Sequence, residues 1–263
     1  ILSVKIIHHR FRILKQSAMI LKIKLTGEEL IRLPKSYNHL LQAFFYKNMD
    51  PVLSKFLHEI GFVYNRRRFK LFTFSKIIGK LASRQDNLVL FEPQITVYFA
   101  SPLMDMVSSA VNVFLKQENL FLGENRLRLE SVELIKPTVQ EDVNVRCLSP
   151  ITVYRTPEGE TKKQFLSPWQ EEFYELIKNN LIKKYQLIYG KSYKEELELK
   201  PLRISQRYKK KIVYKGSLIE AWEGYYNIRG STQIVKLALE AGLGAKNPQG
   251  FGMVEVVDSV EGD

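Results

Sequence analysis

The chain has 263 residues, 45% of them hydrophobic: enough to bury one large core or two smaller ones, and too apolar for wholesale disorder. Forty Lys and Arg against 28 Asp and Glu leave a net charge of +12, which favours polyanionic partners. Cys147 is the only cysteine, which excludes an internal disulfide and a multi-cysteine zinc cluster and suits a reducing, cytoplasmic setting; no run is apolar for long enough to form a membrane-crossing helix.

The first residues, ILSVKIIHHRFRILKQSA (1–18), contain Lys5, Arg10, Arg12 and Lys15 and no acid. HHRFR interrupts their apolar run, so they do not form a signal peptide. MILKIKLTG (19–27) alternates like a strand, and residues 1–18 read as an upstream extension, with the functional protein expected to begin at Met19. Helical patterns then run from Ser36 to Gly61, broken at MDP, where Asp50 is suited to cap and Pro51 to open a second helix. On a wheel advancing about 100° per residue, Leu40, Leu41, Phe44 and Phe45 cluster, while His39 and Tyr46 fall together on the opposite side. On the second helix Val52, Leu53, Phe56, Leu57 and Ile60 form the apolar stripe, and His58 projects away from it. Neither imidazole fits core packing. A plain surface histidine is the commoner case, but next to cations either is a candidate general acid or base near neutral pH.

NRRRFKLFTFS follows, with Arg66, Arg67, Arg68 and Lys70 entering an apolar strand expected over 69–77. Such a run is commonly a solvated turn; close to His58 it is also suited to holding phosphates. Strands are expected at 88–101 and 120–135, on either side of the helix PLMDMVSSAVNVFLKQ, whose Met104, Val107, Val111 and Phe114 keep helical spacing.

After the joint KPTVQED (136–142) the order repeats. A strand is expected over 143–155, broken at Pro150. A helix follows, with Ser167 as its cap, Pro168 at its first position, Gln170 closing a capping box, and Trp169, Phe173, Ile177 and Leu181 on one face. Strands at 197–215 and 217–229, the helix STQIVKLALEAG and a strand at 252–257 complete the half. Two βαββαβ halves predict an α+β protein of two tandem ferredoxin-like, RRM-like modules, residues 19–138 and 139–263. That fold alone licenses no function. Within the second half, RYKKKIVYK (207–215) interleaves Lys209, Lys210 and Lys211 with Tyr208 and Tyr214. This composition suits single-stranded RNA as well as an ordinary basic hairpin.

AGLGAKNPQGFGMVEVV (241–257) sets Gly242, Gly244, Gly250 and Gly252 between the last helix and the last strand. Asn247 stands where a dinucleotide fingerprint needs its third glycine, and Phe251 and Gly252 stand where a Walker loop needs Lys and then Ser or Thr. By spacing alone the segment is a glycine-rich helix cap running into a bulged hairpin. The acidic stretches QEEF and KEELEL gather no carboxylates around an ion, and there is no serine-nucleophile motif or Cys–His pair. Cleavage of RNA by this chain would therefore take a route with no metal and no cofactor.

In their order and spacing, LPKSYNHLLQAFFY, FLHEIGF, FKLFTFS, LSPITV, EFYELIKNNLIKKY and GLGAKNPQGFGMVEV resemble the CRISPR-associated endoribonucleases that process precursor CRISPR RNA, members of the RAMP superfamily. The likeness spans Met19 to Val257. It implies a catalytic N-terminal module and an RNA-binding C-terminal one. It also implies metal-independent cleavage within the repeat by 2′-hydroxyl attack, leaving 2′,3′-cyclic phosphate and 5′-hydroxyl ends. His58 matches the family's catalytic histidine, and Tyr46 a tyrosine that assists as acid, base or orienting group. Lys70 matches a lysine that stabilises charge on the phosphate, and His39 is an accessory candidate. Gly242, Gly244, Gly250 and Gly252 are implied to lie against RNA, with bare amides and Lys246 near phosphates. Arg66, Arg67, Arg68, Lys209, Lys210 and Lys211 are the further RNA-binding candidates. The implied partners are CRISPR repeat RNA and other subunits of a surveillance complex, with no membrane; the protein itself is expected to be a monomer or a homodimer. The alternative is a non-cleaving RNA-binding RAMP subunit of a CRISPR ribonucleoprotein. A third reading, an unrelated ferredoxin-like protein for a small ligand, predicts no salt-dependent affinity for RNA.

Overall fold

The computed structural model describes residues 18–65 and 67–259. The expectation of an upstream extension at 1–18 falls, for residues 1–17, outside the described residues, as does Arg66.

The chain opens with β1 (Ile20–Gly27), in which Leu21, Ile23 and Leu25 are buried while Lys22 and Lys24 between them are partly exposed. This is the period-2 pattern of a half-buried strand. Next come β2 (Ile31–Pro34), α1 (Asn38–Lys47), α2 (Pro51–Glu59), and a small hairpin of β3 (Phe62–Tyr64) and β4 (Arg67–Phe69). They are followed by β5 (Thr73–Phe74), β6 (Ile78–Arg84), β7 (Leu88–Ala100), α3 (Met104–Lys116), β8 (Leu120–Leu122) and β9 (Asn125–Ile135). β1 pairs antiparallel with β7 on one side and β9 on the other, and β6 lies beyond β7. The order β6-β7-β1-β9, with helices between the first and second and the third and fourth strands, is a ferredoxin-like module.

The second half contains β10 (Asp142–Cys147), a two-stranded ribbon of β11 (Tyr154–Arg155) and β12 (Gln164–Phe165), α4 (Glu171–Tyr189) and β13 (Glu198–Arg203). A hairpin of β14 (Lys209–Tyr214) and β15 (Ser217–Trp222) precedes β16 (Tyr225–Arg229), α5 (Thr232–Ala241) and β17 (Val254–Val256). Its sheet order, β13-β16-β10-β17, repeats that of the first. The two modules share one continuous apolar core, which runs from Ile23 and Phe99 of the first to Ile234 and Leu239 of the second. α5 is buried nearly all round, including the ion pair Lys236–Glu240 at 2.8 Å, because both modules pack on it. Among the described residues no helix is long and apolar enough to cross a membrane.

Several local expectations change. The strand expected at 69–77 is broken: Leu71 adopts a left-handed backbone (φ 56°), and only Thr73 and Phe74 join the sheet. FKLFTFS is apolar because Phe69, Leu71, Phe72 and Phe74 are all buried, Phe69 at the end of β4 and Phe74 in β5, with an irregular connection through Lys70, Leu71 and Phe72 between them. The strand filling that place in the module is β6, an edge strand exposed along its whole length and so without an apolar alternation to read. The strands expected at 197–215 and 217–229 each divide, their inner halves forming the separate β14–β15 hairpin with a turn at Lys215 and Gly216, both at positive φ. Regular helix in α4 starts only at Glu171; Gln170 still receives the Ser167 amide at 2.7 Å, but Trp169 lies before the helix, half-exposed against Trp222. On α2 the apolar stripe is narrower than expected, with Leu53 and Leu57 buried and Val52 and Ile60 exposed.

Candidate active site

α2 leaves α1 at an angle set by Asp50, whose carboxylate accepts from the Val52 and Leu53 amides while Pro51 occupies the first turn. An N-cap of this kind is worth about 1 kcal/mol. Ser54 then donates to the Tyr46 carbonyl at 2.8 Å, tying the start of α2 to the end of α1. The result is that two side chains twelve residues apart meet. The His58 ring, exposed on α2, lies edge-to-face with Tyr46 at 5.8 Å between centroids. The other side of Tyr46 packs on fully buried Phe72 at 5.6 Å. Burial, and secondarily the Tyr214 hydroxyl, holds the Tyr46 phenol well above its ordinary pKa of about 10, so it stays protonated.

Lys70 reaches the same neighbourhood from the other side. Its ammonium donates to the carbonyls of Leu57 and, at 3.0 Å, His58. These are among the last carbonyls of α2, which have no partner within the helix, and a cation there is favoured by the helix dipole. Burial lowers the Lys70 pKa, with neighbouring Arg68 adding to it. Arg68 itself donates to the Glu59 carbonyl at 3.1 Å. Gly61 makes the crossing feasible: at φ +65°, any Cβ there would stand 2.8 Å from the Phe69 carbonyl and 3.0 Å from the Lys70 side chain. Tyr46, His58 and Lys70 are therefore brought together. His39 is not, since its Nδ1 lies 3.0 Å from the Ser36 carbonyl, and it sits about 10 Å along the helix from Tyr46.

Tyr46 stands between two hollows. A shallow depression of about 400 Å³ surrounds His58 and includes Lys47, Ser54, Lys55 and Glu59. A cleft of about 560 Å³ runs between the modules, with Arg67, Arg68 and Lys70 on one wall and Lys183, Asn180 and Lys246 on the other. Among the described residues no acid lines that cleft. The cations crowd one another: burial and then Arg67 lower the pKa of Lys183, and burial and then Lys163 lower that of Lys246. An acid-free cleft of this kind focuses a positive potential suited to a polyanion.

The glycine loop forms one end of the cleft, but of its four glycines only Gly244 lines it. Gly242, Gly244, Gly250 and Gly252 are all buried and all at positive φ. Three of their amides are spent internally: Gly242 donates to Ala238, Gly250 to Asn247 and Gly252 to Pro150. A Cβ at Gly250 would strike Phe74 and Asn38 at 2.7 Å, and one at Gly252 would come within 1.9 Å of the Leu243 carbonyl. The bare amides expected near phosphates are in these three cases inside the protein, because the loop is wedged against α1. Asn38 and Gln42 of α1 donate to the carbonyls of Gln249, Gly250 and Pro248. Beneath the loop Lys184, buried, donates to the Ala241 and Gly242 carbonyls and to Asn247, at 2.7 to 3.1 Å. Lys246, at a left-handed φ of 59°, remains on the cleft surface.

The lysine run of β14 lies outside the cleft. Lys209 pairs with Glu220 at 2.9 Å and Lys210 with Glu223 at 3.4 Å; Lys211 is exposed and has no ion-pair partner among the described residues. Tyr214, grouped with those lysines as a stacking ring, is instead buried and donates to Gln42. The sequence reading missed Lys55, Asn180, Lys183 and Lys184. A polar strip at three- and four-residue spacing along ELIKNNLIKKY was the available signal for the last three. Among the described residues no group of three or more His, Cys, Asp or Glu side chains is placed to hold a metal ion.

Comparison with known proteins adds to this geometry. The family described as CRISPR-associated protein Cas6, N-terminal, matches residues 32–133, and that described as CRISPR associated protein Cas6, C-terminal, matches residues 133–256. The CRISPR-associated endoribonuclease Cas6 of Pyrococcus furiosus is 27% identical over 87% of this chain and 85% of its own length. The CRISPR-associated endoribonuclease Cas6 1 of Methanocaldococcus jannaschii is 26% identical over 92% of this chain and 94% of its own. Two solved structures have the same fold. One described as CRISPR associated protein Cas6 aligns with a TM-score of 0.75 at 24% identity, and a Cas6-related protein of Pyrococcus furiosus with 0.79 at 21%; each covers 92% of this chain and 100% of its own.

Proposed function

The chain belongs to the Cas6 family of CRISPR-associated proteins, and from that premise we propose that it is an endoribonuclease that cuts precursor CRISPR RNA within the repeat without a metal ion. In the proposed reaction the ribose 2′-oxygen attacks the adjacent phosphorus. The new O2′–P bond forms as the P–O5′ bond breaks; the 2′-hydroxyl proton leaves to a base and the departing O5′ takes one from an acid. The products are a 2′,3′-cyclic phosphate and a 5′-hydroxyl.

His58 serves as the base. Tyr46, which burial keeps as a neutral phenol, is a donor and not a base, and it delivers or orients the proton at O5′. The inter-module cleft, with Arg67, Lys183 and Lys246, takes the flanking strand. The observation that carries this reading is the exposed His58 ring in contact with Tyr46 at the edge of an acid-free cationic cleft.

The test is cleavage of repeat RNA in EDTA by the wild type and by H58A. The wild type is expected to cut and leave cyclic phosphate ends, and H58A to lose roughly 10²–10⁴-fold in rate while binding RNA nearly as well. Full dependence on added magnesium, or wild-type rates from H58A, contradicts the mechanism. Binding with no product under any condition would favour the non-cleaving RNA-binding subunit instead.

A further inference from the structure

Resting on the part of that reading that places RNA in the inter-module cleft, we propose that Tyr154 is a stacking platform for one unpaired base of the bound strand, with Lys163 and Lys246 beside it for the adjoining phosphates. Four aromatic rings line the cleft among the described residues: Tyr46, Phe69, Phe72 and Tyr154. Phe69 and Phe72 are buried, and Tyr46 is held between Phe72 and His58. Tyr154 is the ring left partly exposed and outside the catalytic cluster.

The β11–β12 ribbon sets its position. Successive side chains of a strand point to opposite faces. Arg155 is accordingly turned to Gln164 and Glu172, at 2.9 and 2.8 Å, while Tyr154 lines the cleft. Phe165 pairs with Tyr154 across the ribbon and meets its ring edge-to-face at 5.8 Å. The segment leading into β11 is bridged to the glycine loop, the Ala245 amide donating to the Thr152 carbonyl at 2.9 Å. Lys246 follows at once, and its ammonium lies 5.7 Å from the Tyr154 ring centroid; that of Lys163 lies at 4.8 Å. The two cations repel each other, and among the described residues no acid lines the cleft to balance them.

A ring and two ammoniums with no carboxylate between them are the parts of a single-stranded nucleic-acid site, in which bases stack and cations take the phosphates. Lys163 is exposed, so an incoming base displaces its ammonium from the ring toward a phosphate. The exchange is favourable, because a cation–π contact is weak at an exposed site and base stacking on an aromatic ring is stronger. Every base has a π-face, so Tyr154 selects for an unpaired nucleotide and not for a particular base.

The test is equilibrium binding of repeat RNA to the full chain carrying H58A, to prevent cutting, with Y154F, Y154L or K163M added in turn. Y154F keeps the ring and is expected to bind as the parent does. Y154L keeps an apolar side chain against Phe165 without the ring, and should weaken binding roughly 5- to 150-fold, by the same factor at low and high salt. K163M should instead flatten the salt dependence, by about 0.7 in logarithmic slope. Abasic substitution scanned along the RNA locates the nucleotide: at one position the loss seen with the parent should nearly vanish in Y154L, and elsewhere the two losses should add. Circular dichroism checks the fold of Y154L. A measurement on the parent alone needs no such variant: 5-iodouridine scanned along the strand should photocross-link to Tyr154 from that one position.

Folded Y154L that binds as tightly as the parent, or abasic losses that add at every position, overturns the assignment while the reading of the cleft stands. Y154F as weak as Y154L overturns it as well, since the hydroxyl and not the ring face would then meet the RNA. A wild type that binds and shows the Y154L loss but cuts nothing supports Tyr154 and overturns the endonuclease. One with no salt-dependent affinity for RNA overturns both.

Discussion

Tyr46 illustrates how much a single residue's surroundings decide about its chemistry. Its ring is held between Phe72, inside the core, and His58, at the surface. Burial penalises the phenolate, so the hydroxyl remains protonated across the range in which an exposed tyrosine would start to ionise. The protonated phenol is the form a proton donor needs, and a pKa raised above 10 extends that form to higher pH. The rate of cleavage should therefore show no alkaline fall belonging to Tyr46 up to about pH 10, and Y46F should lower the rate without altering the profile's alkaline side. A descending limb near pH 9 to 10 that vanishes in Y46F would mean an accessible, ordinary phenol and would remove Tyr46 from this role. His39 shows the converse: the helix wheel puts it on Tyr46's face, yet a rise of about 1.5 Å per residue over seven residues carries it out of reach.

The glycine loop is where backbone freedom is used most heavily, and its glycines differ in what they tolerate. Gly252 has the Leu243 carbonyl 1.9 Å from where a Cβ would go, whereas Gly159, also at positive φ, has nothing within 4 Å. G159A should cost about 1 kcal/mol, the conformational penalty alone. G252A adds a backbone collision and should cost several times as much, or prevent folding; urea unfolding of the two variants compares them, and equal midpoints would contradict the packing described. The loop is also held from below, since the ammonium of Lys184 meets three acceptors with its three protons. Burial pulls the Lys184 pKa down to about 7, and the three carbonyl-type acceptors act against that shift by favouring the charged form.

At the scale of the molecule, the two modules are fused by one core and divided on the surface by one cationic cleft. Affinity for RNA should then fall linearly with salt on logarithmic axes, with a slope that counts phosphate contacts. Removing Lys183 or Lys246 from the cleft should reduce that slope by about 0.7 each for single-stranded RNA. Removing Lys209, already paired with Glu220, should change it little. Slopes that respond to K209M and not to K183M would place the strand on the β14–β15 hairpin instead of in the cleft.

Features that repeat or signal locally are legible in the amino-acid chain. The alternation of β1, the Asp50–Pro51 start of α2, the outward face of His58 and the two-fold βαββαβ order are each written within a few neighbouring residues, and each is found in the structure. The rest depends on packing between distant elements. β6 carries no apolar pattern because neither of its faces is buried, and FKLFTFS carries a strong one although it divides between two short strands and an irregular connection. The four loop glycines, legible as a cluster, serve close approaches that no spacing encodes: Gly242 to Thr73 and Asn247, Gly244 to Thr152, Gly250 to Asn38 of α1 and Gly252 to Leu243. The cleft joins Arg67 to Lys183 and Lys246 across more than a hundred residues. Periodicity records which face of an element is buried; it does not record which distant element covers that face, nor which carbonyl an ammonium such as that of Lys70 will find.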